Sequence, residues 1–467
     1  MADYYDDLLR ICGFEVEEID KERARIEKAF RRLELGPDDM KSAESWVRKN
    51  HDVELMGVRK LLGAWLKELL DLVLARDEGK KVVYYGFPTI QGPGLAIKAA
   101  APDIIYSACP DVVLCHTMGQ IFNKLTPILE AGEEDGLPPG HGLCSLQQIR
   151  VGGLAKGIIP IPDLVLTSSY YCDMGSLTDQ LLHERYGHPA IYVDGSMDSR
   201  WGEYPAYQSK RVEFLGAQLN ELFDRVKEIL GIEITRDAWD KAISISRYLY
   251  SGIGHCGELI KADPMPISQA EVGLAMWLTS GCTGRAMSEG PGAIDILNQE
   301  IKRRVDEGVG VVEKGAPRVM TILTHYSDAS ITRMIEDAGL ANCATLFSSP
   351  PPKAKSKTTY KTLGETIAER EMRVGFFHSS YGFVQRTAKA IEDFHLDGII
   401  WNYIYNCRPL AITSHFLRKW VDENIGIPTL PLETDNFDSR TYSAEALRTR
   451  VETFADMLRA KKASVAA

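Results

Sequence analysis

Short apolar runs rich in β-branched and aromatic residues alternate with amphipathic helical patterns, and they do so in two separate stretches of the chain. KKVVYYGFP (80–88), DVVLC (111–115), PDLVLTSS (162–169) and PAIYVDG (189–195) form the first set. RVMTILTH, ATLFSS, RVGFFHSS, DGIIWNYIY and PTLPLETD form the second, which begins near residue 316. Helical periodicity fills the gaps, as in residues 145–154 and 176–186. Strands that alternate with helices make βαβ units, and these build mostly parallel sheets covered by helices on both faces. The pattern predicts two α/β domains, each with a doubly wound parallel sheet.

Apolar residues at three- and four-residue steps make residues 1–80 and 207–315 helical. The expected organisation is an N-terminal helical segment (1–80), a first α/β domain (81–206), a helical connector (207–315) and a second α/β domain (316–467). A last helix is expected in SAEALRTRVETFADMLRAKKA, with Ser443 as N-cap and Glu445 in its first turn. The Pro- and Lys-rich stretch 348–361 reads as an exposed loop.

Composition excludes several functions. Acidic residues outnumber basic ones, 65 to 54, so there is no general footprint for nucleic acid. No uncharged apolar run reaches the roughly 18 residues of a membrane span. The opening MADYYDDLLRICGF has no basic n-region, and a cytoplasmic location is expected. In that compartment the nine cysteines are thiols and not a disulfide framework.

Short motifs add little. Gly252, Gly254 and Gly257 spell GxGxxG, but a helical pattern precedes them where a dinucleotide fingerprint needs a strand. GxxxxGK[ST], GxSxG and HExxH are missing, so any ATP used is bound by another protein. His183 and His188 read as a solvated helix end.

The positions of three cysteines are more informative. Cys172 follows the strand PDLVLTSS and Cys407 follows DGIIWNYIY. Ligands of open α/β sheets bind beyond the carboxyl ends of strands, so cysteines from two domains can face one cleft. Cys144 opens the helix CSLQQIRVGGLAKG, where free amides and the helix dipole favour thiolate. Thiolates this far apart in sequence do not match the short CxxC knuckles of zinc sites. They suit an iron–sulfur cluster, and three of them leave one iron of a cubane open. The alternative is a set of buried packing thiols. That reading holds for Cys12, Cys256, Cys282 and Cys343, while Cys109 and Cys115, with Cys115 at an expected strand end, stay open as extra ligands.

At these residues the chain resembles the 2-hydroxyacyl-CoA dehydratases and their relatives, the ATP-dependent benzoyl-CoA reductases. The matching stretches are HGLCSLQQIRVGGLAKGIIPIPDLVLTSSYYCDM, DGIIWNYIYNCRPL and GIPTLPLETDNFDSRTYSAEALRTRVETFADML, in order within about 80–460. The resemblance implies two flavodoxin-like domains plus a helical region, in a heterodimer with a related second subunit. It implies a [4Fe-4S] cluster held by Cys144, Cys172 and Cys407. A separate ATP-hydrolysing iron–sulfur activator would deliver one electron, and water would leave a 2-hydroxyacyl-CoA by way of a ketyl radical. The open iron would serve as Lewis acid at the thioester oxygen.

The chain also departs from the family. Its stretch YYGFPTIQGPGLAIKAAAP carries Thr89 and Gln91 but no carboxylate where dehydratase large subunits carry a serine-rich acidic motif, so no catalytic acid or base is assigned. Trp401, Tyr403 and Tyr405 are strand core or a wall for a ring-bearing acyl group. Arg150, Lys156, Arg408 and Arg440 are either phosphate contacts for coenzyme A or ion-paired arginines and lysines, and Asp173 caps or bonds locally. Three alternatives stay open: a benzoyl-CoA-reductase-type acyl-CoA reductase, a double-cubane reductase with Cys109 and Cys115 as further ligands, and a cluster-free partner subunit.

Overall fold

The computed structural model describes residues 4–87, 90–136, 144–169, 172–195, 200–322, 326–349, 360–373, 380–403 and 407–466. Among these, the strands lie in two four-stranded parallel sheets. The first holds β1 (Lys81–Tyr85), β2 (Ile105–Ala108), β3 (Leu164–Ser168) and β4 (Ala190–Val193) in the order β2-β1-β3-β4. The second holds β5 (Arg318–Thr321), β6 (Ala341–Thr345), β7 (Gly398–Tyr403) and β8 (Thr429–Glu433) in the order β6-β5-β7-β8. The chain steps from β1 to one side, then crosses back to β3 on the other, and β5–β8 repeat the move. Each sheet therefore has a switch point, between β1 and β3 and between β5 and β7. Every residue of β2 and β3 is buried, as expected of strands covered on both faces.

Two strand assignments shift. DVVLC lies in the helix Pro110–Leu114, and the strand is the IYSA that precedes it. Pro110 at the first helical position has φ preset for a helix and no N–H for a ladder, and this outweighs the β-branched valines. Cys115 accordingly begins a π-helical turn, Cys115–Gly119, and does not end a strand. ATLFSS shares only Ala344 and Thr345 with β6. Beyond them hydroxyls fold the chain into a turn: Thr345 N–H donates to Ser348 Oγ at 2.8 Å and Phe347 N–H to Thr345 Oγ1 at 3.1 Å. Residues 374–379 of RVGFFHSS and 350–359 of the Pro/Lys-rich stretch lie outside the described residues.

The N-terminal helix Met56–Leu74 is buried along nearly its whole length and packs on Arg285–Glu307. Gly57 permits the contact, because a Cβ there would stand 2.5 Å from Leu297 Cα. One apolar cluster runs from Tyr5 through the first sheet and the helices Ser209–Leu230, Arg236–Leu259, Gln269–Gly281 and Arg285–Glu307 to Met320 and Trp401. A smaller cluster joins Val319 and Ile400 of the second sheet to Phe454 and Leu458 of the helix Ala444–Ala466. Ser443 accepts the Ala446 N–H at 3.3 Å at the start of that helix. The GxGxxG residues lie inside Arg236–Leu259. Among the described residues no helix is long and apolar enough to cross a membrane.

Candidate metal centre

Four of the described helices have a cysteine at the N-cap: Cys109 at the short Pro110–Leu114, and three others at longer helices. Cys144 precedes Ser145–Ala155, Cys172 precedes Asp173–Tyr186 just beyond β3, and Cys407 precedes Arg408–Asn424 just beyond β7. Cysteine is not among the residues that cap helices well, and none of the three closes a side-chain cap hydrogen bond. These three are half-buried, whereas the other six cysteines are buried.

The three sulfurs are electrostatic neighbours. Burial pushes the Cys144 thiol well up, and Asp435, Cys172 and Cys407 push it further. Cys407 is pushed up to about 12, chiefly by burial, with Cys172 and Asp435 adding to the rise. Burial also raises Cys172, and Asp173 adds to it. Amides of the helix starts oppose these shifts: Gln147 at Cys144, Met174 and Gly175 at Cys172, and Leu410 at Cys407. The Gln147 side chain also favours the Cys172 thiolate. Two sulfurs thus come from the first α/β unit and one from the second. Among the described residues no three His, Cys, Asp or Glu side chains are arranged to hold a single metal ion.

Asp435, two residues past β8, is buried in the same place. Its Oδ2 accepts the Ser145 N–H at 3.2 Å and the Ser145 Oγ–H at 2.7 Å, and its Oδ1 accepts the Phe437 N–H at 3.0 Å. Burial raises its pKa. Asp435 lies in the ETDNFDSR block and is not among the residues that the sequence singles out. Its signal is a carboxylate immediately beyond a strand, at the same sheet edge as Cys407.

Asp111 was also missed. The segment after β1 supplies no carboxylate of its own, yet Asp111 Oδ2 accepts the Phe87 N–H at 2.9 Å, and burial pushes the acid up to about 6. Arg150 lies against it, fully buried, with ion pairs of 3.1 Å to both Asp111 and Asp179. A Cβ at Gly86 would stand 1.6 Å from Arg150 Nη1. Arg150 is therefore a structural cation, closed off from any phosphate.

The remaining candidates are quickly placed. Lys156 pairs with Glu34 at 2.9 Å, and Arg440 pairs with Asp438 at 2.8 Å and with Glu133. Thr89, Tyr405 and the Arg408 side chain lie outside the described residues. Gln91 donates to the Cys282 carbonyl at 3.2 Å. Trp401 is core, and Tyr403 is half-buried. Asp173 is the first helical residue after the Cys172 cap. His183 is exposed in the last turn of its helix, as expected, whereas His188 is buried, with a pKa lowered to about 4 by burial, and its carbonyl lies 2.6 Å from His183 Nδ1. Cys109 Sγ lies 3.7 Å from Asp111 Oδ2, and burial pushes both Cys109 and Cys115 well up.

A sequence model of the family described as 2-hydroxyglutaryl-CoA dehydratase, D-component, matches residues 99–458. The chain belongs to this family. The matched span of the dehydratase family includes Cys144, Cys172, Cys407 and Asp435. Subunit alpha of (R)-2-hydroxyglutaryl-CoA dehydratase from Acidaminococcus fermentans is 21% identical over 306 residues, 65% of this chain and 61% of that protein. The putative dehydratase subunit YjiM of Escherichia coli is 23% identical over 255 residues, 52% of this chain and 63% of that one. The (R)-phenyllactyl-CoA dehydratase alpha subunit of Clostridium sporogenes is 20% identical over 331 residues, 69% and 77% of the two chains. The matches span 61% and 63% of the length of the Acidaminococcus and Escherichia proteins.

Proposed function

We propose that this chain is the iron–sulfur subunit of an ATP-activated 2-hydroxyacyl-CoA dehydratase. It would eliminate water from a 2-hydroxyacyl-CoA by way of a ketyl radical, in the cytoplasm and beside a related second subunit. The observation that carries the reading is the convergence of Cys144, Cys172 and Cys407, each half-buried at a helix start. An all-thiol donor set suits iron–sulfur chemistry. Thiolates around a four-iron core stand farther apart than ligands of one ion, which fits thiols that neighbour one another without forming a single-ion site. We read both units as flavodoxin-like, since β2-β1-β3-β4 begins the 2-1-3-4-5 order.

A bound cluster would supply low-potential electron transfer and a Lewis-acid corner. The chain's own part is to hold it. Cys144, Cys172 and Cys407 would ligate, and the amides of Gln147, Met174, Gly175 and Leu410 would stabilise the thiolates. The relatives are named as subunits, which supports a second subunit, and a separate ATP-hydrolysing iron–sulfur activator completes the reading. Two of those relatives are named as dehydratases of 2-hydroxyacyl thioesters, and this favours elimination over ring reduction.

Anaerobic iron and sulfide determination tests the reading. Wild-type protein should carry about four irons per chain. Cys144→Ser, Cys172→Ser and Cys407→Ser should each lose most of that iron. With partner, activator and ATP, a 2-hydroxyacyl-CoA should yield enoyl-CoA. Iron-free wild type, or iron unaffected by all three changes, overturns the proposal. About eight irons would bring Cys109 and Cys115 into a double cubane.

A further inference from the structure

Cys144 stands at the N-cap, where the Gln147 amide favours its thiolate. Asp435, 290 residues away in sequence, caps a different amide of the same helix start. Its Oδ2 takes the first free amide of the helix, Ser145 N–H, at 3.2 Å, and the Ser145 hydroxyl at 2.7 Å. Its Oδ1 is tied to Phe437 N–H at 3.0 Å, which fixes the carboxylate on the loop after β8. Three donors on a carboxylate that is only 1% exposed make a bond set that is costly to break. A carboxylate at a helix start also opposes the positive end of the dipole.

We propose that Asp435 is a positioning residue, which caps the first amide of the helix Ser145–Ala155 from the opposite α/β unit and so holds the Cys144 turn where its sulfur faces Cys172 and Cys407. The cap stands without a cluster, whereas its role toward Cys144 rests on the cluster-binding reading. Asp435 is at the same time a negative neighbour of Cys144 and Cys407. Net charge is one determinant of cluster potential, so a fixed carboxylate makes the added electron less favourable.

The test joins two readouts on full-length protein. Amide hydrogen exchange on cluster-free protein should show the Ser145 amide exchanging at least about tenfold faster in Asp435→Ala than in wild type, as expected for loss of a charge-assisted bond. Ser145→Ala, which keeps the amide bond, should show a smaller change. In reconstituted protein Asp435→Asn should shift the cluster midpoint potential upward, and Asp435→Ala should retain less iron. Wild-type exchange at Ser145 in Asp435→Ala overturns the cap, and should that variant not fold, a Ser145 amide that exchanges unprotected in wild type does so. An unchanged potential in Asp435→Asn overturns the part played toward the cluster. Iron-free wild type sinks the cluster-binding reading alone, since the exchange rates still decide whether Asp435 is the cap.

Discussion

Glu336 is buried where the Gln269 N–H donates to its Oε1 at 3.1 Å and Arg333 pairs with its Oε2 at 3.3 Å. Burial still dominates and lifts its pKa from 4.5 to about 7. The folded state holds this proton more tightly than the unfolded chain. The stability it adds is complete below pH 4.5 and lost as pH rises through about 7. Denaturant unfolding across that window should show a decline of up to roughly 3 kcal/mol in wild type that Glu336→Gln lacks. Parallel curves for the two proteins would contradict this assignment. Burial of this kind is poorly legible in sequence, and the site shows why. Cys172 and Cys407 stand out because each closes an apolar run. Asp435 does not, because its partner Ser145 is 290 residues away. Sequence leaves Arg150 open between a phosphate contact and an ion pair, because nothing local reveals that Asp111 and Asp179 close on it from two other elements.

At the level of elements, the Cys144 helix is seated by glycine. A Cβ on Gly152 would stand 1.7 Å from the Ile128 carbonyl oxygen, and one on Gly132 would stand 2.7 Å from that of Gln148. The helices Thr126–Glu134 and Ser145–Ala155 thus touch backbone to backbone. Gly152→Ala has to push them apart, at a cost of about 1–3 kcal/mol for overpacking. The displacement would carry the Cys144 turn with it, so bound iron should fall along with the melting temperature. A variant that melts lower yet binds iron like wild type would show that the helix start is anchored elsewhere, with Asp435 the first candidate. The helical periodicity of 145–154 was plain in the sequence. The purpose of the Gly152-Gly153 pair was not, since glycine in a helix reads locally as a weakness. The reverse holds for DVVLC, where β-branched residues suggested a strand and one proline decided for a helix.

For the whole molecule, alternation of strand and helix was enough to anticipate two parallel sheets, but not what the long helices cover. An amphipathic pattern says that one face is buried and leaves its partner unnamed. Met56–Leu74 in fact packs on Arg285–Glu307, across more than 200 residues, and joins the core cluster that reaches both sheets. The candidate centre makes a further link of the same kind, with Cys144 and Cys172 on the first unit and Cys407 and Asp435 on the second. A ligand that binds only the folded arrangement stabilises it by mass action, and metal held by both units stabilises their mutual placement as well. Loading iron and sulfide should therefore raise the melting temperature of wild type above that of the cluster-free protein. Cys172→Ser and Cys407→Ser should forfeit the rise to a similar degree although they lie on different sheets. A rise that survives the loss of Cys407 would confine the binding to the first unit, and the second sheet would then have no part in holding the metal.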